Sequence, residues 1–210
     1  MDWLTVWQYR EAILHGFGVT LWLSAAVIVG STIVGVVVGC LATLPSFFLS
    51  KITTAYTELM RNLPVVVKVF FFYFVLGLPG IPAALIALIL HQSAYIADLT
   101  SAGIRSVARG QLDAGLSLGH NYWQTFQYII VPQMVRIIIP PMTTQYVSAI
   151  KNTSVVSLIA IQELTFETQE VNVATFRGFE AATVATVLYV FAALVVIAAM
   201  SLLHNRITAR

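Results

Sequence analysis

The chain has 210 residues, of which 59% are hydrophobic and 10% charged, and its mean hydropathy is +0.86. Soluble domains carry about a quarter charged residues, so a water-soluble enzyme is excluded and the chain reads as a polytopic membrane protein forming a single transmembrane domain over residues 1–210. A net charge of +2, with no basic stripe, gives no ground for nucleic-acid binding.

Residues 1–14 hold Trp3, Trp7 and Tyr9 with Asp2, Arg10 and Glu11. No basic region precedes a short apolar core, so this is not a signal peptide; the aromatic residues suggest an amphipathic segment at the outer interface. A hydrocarbon layer about 30 Å thick needs roughly 20 apolar residues at about 1.5 Å each. Five stretches meet that need, at residues 16–44, 54–77, 81–103, 135–159 and 181–203. In the first, Ser31, Gly35 and Gly39 recur every fourth residue and clear one face for a close helix contact. Cys40, the single cysteine, has no intrachain disulfide partner and reads as a small buried hydrophobe.

Lys51 lies in the first connection, Arg105, Arg109 and Arg136 in the third, and Arg206 and Arg210 in the tail. Basic residues near span ends resist transfer across the membrane, which places these segments in the cytoplasm. The N-terminus, the turn at 78–80 and the stretch 162–180 with Glu163, Glu167, Glu170, Arg177 and Glu180 are then external, the last as an aqueous piece.

Glu58, Arg61, Lys68, Asp98 and Lys151 fall inside the expected spans, where an unpaired charge costs about 2.5–3.5 kcal/mol or more. They must face one another or a wet cavity. Glu58 and Arg61, three apart, share a helix face, which fits a structural pair as well as a transport path; Lys68 follows two turns on. Lys151 sits near mid-span, ten residues past Pro141, and the proline pair favours a kink or break before it. Asn152, Thr153 and Ser154 follow, so polar groups occupy every face there. An ammonium beside hydroxyl and amide groups suits a carboxylate-bearing solute; the plainer alternative is an ion pair from Lys151 to Asp98. Three positive and two negative charges in these spans lean toward an anionic solute. His91 reads as a packed or hydrogen-bonded helix residue, and its closeness to Ser93 is of a kind common by chance.

The sequence has no Gly-rich phosphate loop and no H-E-x-x-H pattern, and Gly115-Leu116-Ser117-Leu118-Gly119, which spells G-x-S-x-G, lies in a stretch read as a short helix rather than at a strand-to-helix elbow, so it offers neither nucleotide hydrolysis nor a protease motif. The connection at 110–132 predicts a short helix ended by Gly119 and a second begun near Asn121, with Trp123, Phe126 and Ile130 on one side. Such a cytoplasmic knob suits a membrane surface or a protein cleft equally.

Asp113-Ala114-Gly115, then Gly119, Ile129, Val131 and Pro132, resemble at the same spacings the E-A-A, G, I-x-L-P loop of bacterial ABC importer permeases. Asp stands for Glu, Gly for the second Ala and Val for Leu. Arg61-Asn62-Leu63-Pro64, Ser93-Ala94-Tyr95-Ile96-Ala97-Asp98, Trp123-Gln124-Thr125 and Lys151-Asn152-Thr153-Ser154-Val155 look like signatures of the polar amino-acid permeases. The run from Lys151 through Glu163-Leu164-Thr165 to Thr175-Phe176-Arg177 and Phe179-Glu180-Ala181 looks most like the glutamate and aspartate branch.

The resemblance implies an all-α, five-span type I importer permease in the bacterial inner membrane, with its coupling loop over about 105–136. It implies that Asp113, Ala114, Gly115, Gly119, Ile129 and Pro132 dock on a separate ATPase dimer that uses ATP and Mg, this chain binding no cofactor. A second permease subunit, identical or not, and a solute-binding protein complete the expected assembly. The expected substrate is glutamate or aspartate, with glutamine or a basic amino acid as the alternative. Lys151, Asn152, Thr153, Ser154, Arg61, Glu58, Asp98 and Tyr95 are the candidate path residues. A small channel or a secondary carrier would also place charges in spans, but neither accounts for the loop.

Overall fold

The computed structural model describes residues 3–209; Met1 and Asp2 of the first segment and Arg210 of the tail lie outside the described residues. The architecture is all-helical among the described residues. Helix α1 (Trp3–Gln8) turns its Val6 inward, against Ile13 of α2 (Arg10–Leu41). Trp3 and Trp7 stay exposed, which gives the amphipathic segment expected. Helix α2 begins six residues ahead of the expected span at 16, because it continues past the apolar stretch to meet α1.

Ser31, Gly35 and Gly39 are buried along α2, and they form its seam with α5 (Gly80–Ser106). A Cβ on Gly35 would lie 2.6 Å from Ile96 Cβ, and one on Gly39 2.6 Å from the Ala97 carbonyl oxygen. The absence of side chains there is what lets the two helices touch. Cys40 is only half-buried, at the edge of this seam rather than in the core.

The expected single span at 54–77 is two pieces. Helix α3 (Phe47–Asn62) stops at Leu63, whose backbone is extended, and α4 (Val65–Phe70) starts after Pro64 and widens into a π turn at Phe71–Val75. Pro64 has no N–H for the helix ladder and drives the preceding residue out of the helical region.

After α5 come α6 (Arg109–Ser117) and α7 (Tyr122–Thr125), then a π turn at Phe126–Ile130 that runs directly into α8 (Val131–Asn152). The expected break does not occur: α8 runs through Pro140 and Pro141 as one helix. The carbonyls that lose their donors belong to Arg136 and Ile137, both exposed, so neither is stranded in the core. The chain tightens instead just beyond Lys151, into a 3-10 segment at Thr153–Ile159. The stretch expected as an aqueous piece at 162–180 is mostly a helix, α9 (Leu164–Thr175), with Leu164 and Val171 buried. Helix α10 (Gly178–Thr208) closes the chain.

Among the described residues three helices, α2, α5 and α10, are long and apolar enough to cross a membrane uninterrupted. The other two expected spans fall short as single apolar rods: α3–α4 is broken, and α8 carries prolines and polar residues. The main core joins Leu23 and Val27 of α2, Val69 of α4, Leu88 of α5 and Ala149 of α8. A second cluster, Ile96, Ile130, Met134 and Ile138, ties α5 to the knob end of α8. Thr20, which meets the start of α9, and Ala42, which meets Arg105 at the knob end, are separated along α2 by about 33 Å at 1.5 Å per residue, so α9 and the knob lie at opposite ends of the bundle.

Candidate functional site

The break at Pro64 is closed by a buried cation. Lys68, 4% exposed, donates from Nζ to the carbonyls of Met60 and Leu63 and to Nδ1 of His91. In a continuous helix the Met60 oxygen would accept from the N–H of residue 64, which proline lacks. The ammonium supplies that missing donor, so Lys68 is a structural cap rather than a path charge. His91 is a hydrogen-bonded helix residue, as expected, and its ring meets Tyr95 edge-on with centroids 5.3 Å apart.

One turn away, Arg61 forms an ion pair with Asp98 and lays its guanidinium over the Tyr95 ring at 5.2 Å. Of the two readings of Glu58 and Arg61, the structural pair is not made; Glu58 is exposed and has no ion-pair partner among the described residues. Arg61 reaches instead to α5, where the Asp98 carboxylate lies. Arg61, Asp98 and Tyr95 are thus brought together at the α3–α5 face, partly exposed.

Lys151 is elsewhere. The alternative pairing with Asp98 does not form, because Asp98 is taken by Arg61. Lys151 is exposed and lines a cavity of about 450 Å³ with Thr143, Thr144 and Val147 of α8 and Ser201 and His204 of α10. Its ammonium has no partner among the described residues. The neighbouring hydroxyls are less free than expected: Thr153 donates to the Ile150 carbonyl at 2.7 Å and Ser154 to that of Lys151 at 2.7 Å. Thr153 is buried. The 3-10 tightening favours these short-range bonds and removes both hydroxyls as ready donors to a solute, leaving Lys151 and the half-buried Asn152.

At the other end, α6 and α7 form the expected helix pair. Gly119 adopts φ +87°; its N–H donates to Leu116 and that of His120 to Gly115, the bond pair that closes a helix on a left-handed residue. Asn121 and Gln124 then cap α7 reciprocally. Gly115 is buried, and a Cβ there would lie 2.6 Å from Thr125 Cγ2, which makes it the contact that holds α6 on α7. Asp113 and Ala114 are exposed on the outer side of α6, Ile129 is half-buried, and Pro132 is exposed at the start of α8. Leu118, Tyr122, Trp123 and Tyr128 add exposed apolar surface.

Sequence reasoning missed the buried polar knot at the α9 end. Glu163, fully buried, accepts from the N–H of Phe166 and of Thr165 and from Tyr189 Oη at 2.7 Å; Thr20 Oγ1 approaches at 3.4 Å and accepts from the Leu164 N–H. A carboxylate at the start of a helix satisfies its orphan donors. The signal was the spacing of Glu163 just ahead of α9, hidden because that stretch reads as solvated. Gln92, whose Nε2 donates to the backbone and side-chain oxygens of Gln145, was missed likewise. Among the described residues no His, Cys, Asp and Glu group is placed to hold a metal.

Residues 31–210 match the family described as binding-protein-dependent transport system inner membrane component. The glutamine transport system permease protein GlnP of Escherichia coli (strain K12) is 31% identical over 92% of this chain and 92% of its own length. The glutamate/aspartate import permease protein GltJ of the same organism is 29% identical over 95% of this chain and 88% of its own. A crystal structure described as an amino acid ABC transporter with histidines contains a chain that superposes with a TM-score of 0.89 at 26% identity, covering 98% of this chain and 99% of that one.

Proposed function

We propose, from the premise that this chain belongs to the family of binding-protein-dependent transport system inner membrane components and is the permease of an amino-acid ABC importer, that its cargo is glutamate or aspartate. The observation that carries this reading is the unpartnered Lys151 ammonium beside a cavity of about 450 Å³, within the size range of small-molecule sites. A charge kept exposed and unpaired at a helix bend is available to a carboxylate. The Arg61–Asp98 pair with Tyr95 lines the same path in this reading. Glutamine is the second reading, favoured by the 31% identity to a glutamine permease against 29% to a glutamate/aspartate one.

The α6–α7 knob docks on a partner ATPase dimer, which supplies the phosphate-loop chemistry and the ATP and Mg that the sequence does not provide for. Asp113 and Ala114 present the docking face, Gly115 and Gly119 set its shape, and Ile129 and Pro132 anchor it to α8. The basic residues at this end, Lys51, Arg105, Arg109, Arg136 and Arg206, support a cytoplasmic position for it at a bacterial inner membrane. A second permease subunit completes the path and a solute-binding protein delivers cargo at the α9 end. Closure of the ATPase dimer shifts the knob and exchanges inward-open and outward-open states, since a path open to both sides would dissipate the gradient.

Tracer glutamate uptake by the complete complex, competed with aspartate, glutamine and arginine, tests the cargo: aspartate competing and glutamine not competing supports the first reading, and the reverse establishes the second. Gly119→Val tests the docking. A β-branched residue at φ +87° distorts the turn, so ATP hydrolysis should continue while uptake falls; normal coupling would overturn the assignment.

A further inference from the structure

The largest cavity described, about 990 Å³, lies at the knob end, between the ends of α2 and α5, the connection at 42–46 and the α6–α7 pair. Its wall is mostly apolar, with Leu44, Ile104, Trp123 and Phe126 among the lining residues. Among the described residues its only charged lining residues are Arg105 and Arg109, and no carboxylate lines it. Arg105, in the last turn of α5, donates one N–H to the Ala42 carbonyl at 3.1 Å, which steadies the guanidinium and leaves its other donors open. Arg109 opens α6, is exposed, and enters no ion pair among the described residues.

A small anion would satisfy the guanidiniums and leave the apolar wall wet. A purely apolar ligand would do the opposite. A molecule with a phosphate head and an acyl tail satisfies both, and the place suits it: Arg105 is the penultimate residue of an uninterrupted apolar helix long enough to cross the membrane, which is where headgroups lie. Basic pockets between membrane helices bind anionic lipid heads in this way, and the guanidinium fork matches phosphate oxygens.

We infer that this cavity is a binding site for an anionic phospholipid, its phosphate held by Arg105 and Arg109 and an acyl chain lying between Leu44 and Phe126. The lipid bridges the end of α5 to the start of α6, and so braces the knob against the membrane-crossing bundle. This site is independent of the cargo and lies at the opposite end of α2 from α9.

Native mass spectrometry of the intact permease complex, released from vesicles of equal phosphatidylglycerol and phosphatidylcholine, reads the ratio of the two lipids retained. The wild type should retain phosphatidylglycerol in excess. Arg109→Gln, at an exposed helix start, should lower that excess about fivefold, and Arg105→Gln with Arg109→Gln by more than tenfold. Arg206→Gln, a basic residue near the end of α10 that does not line the cavity, should leave it unchanged. Leu44→Trp, which fills the cavity and keeps both arginines, should also lower it. An equal ratio in the wild type, an unchanged ratio in Arg109→Gln, or an equal fall in Arg206→Gln would overturn the site. So would loss of a partner subunit from Arg109→Gln with the lipid ratio intact, which would assign the arginines to a protein contact.

Discussion

Lys68 and Lys151 are both lysines of the membrane region, yet one is sealed and the other open. Lys68 is buried and donates to two carbonyls and an imidazole. Lys151 lies exposed along a cavity, with no partner for its ammonium among the described residues. Glu163 belongs with Lys68: its carboxylate is consumed by backbone amides and a phenol. The difference teaches that charge in a span is not by itself a transport signal. A charge whose bonds are all spent on the protein's own backbone and side chains holds the fold, and one left unspent is the candidate for a solute.

The comparison can be broken most forcefully at Lys68. Lys68→Met leaves the Met60 and Leu63 carbonyls without their donor in a dry place, at about 1–3 kcal/mol for each unsatisfied group. Assembled complex should fall sharply in yield and melt at lower temperature; full yield and an unchanged melting point would return Lys68 to the path. Glu163→Ala removes the cap of α9 and the acceptor of the Tyr189 hydroxyl, which keeps its contact with Thr165, for a loss of about 1–3 kcal/mol. Size-exclusion chromatography with thermal melting should show a destabilised complex, with tracer affinity unchanged in the fraction that survives.

Lys151→Met should do the reverse, leaving melting and assembly as in the wild type while lowering uptake about tenfold, the loss expected of one charge-assisted hydrogen bond. Unchanged uptake kinetics would make Lys151 structural and end the contrast. The smallest effect is at Glu167 in α9, whose carboxyl is pushed above its ordinary value, chiefly by burial, with Glu170 and Glu163 adding to the rise and His15 opposing it. A carboxyl raised in the folded state contributes stability at low pH and loses it as pH rises through the raised value. Glu167→Gln should therefore melt slightly higher than the wild type near neutral pH and equally at pH 4; a lower melting point near pH 7 would contradict the sign.

Much of this was legible in the sequence. The small-residue stripe at Ser31, Gly35 and Gly39 announced the α2–α5 seam, and Gly119 and Asn121 announced the end of α6 and the start of α7, because steric and capping rules act locally. The broken span was half-legible: Pro64 was visible, but hydropathy averages over 54–77 and conceals a single missing N–H. The continuity of α8 through Pro140 and Pro141 was not legible, since it depends on which carbonyls face outward. Nor was the partner of Arg61, which lies 37 positions away at Asp98. Glu163 escaped because a run with several carboxylates reads as solvated, and only the packing of α2 and α10 around it shows that one of them is buried.

The central claim is that this chain is a gate without a motor of its own. The direct measurement is tracer glutamate and glutamine uptake into proteoliposomes holding the permease, its ATPase and its solute-binding protein, with ATP or with a non-hydrolysable analogue inside the compartment that holds the ATPase. The account predicts uptake with ATP alone. Uptake that continues at the same rate with the analogue, or with the ATPase left out, would contradict it and make the chain a channel or a secondary carrier.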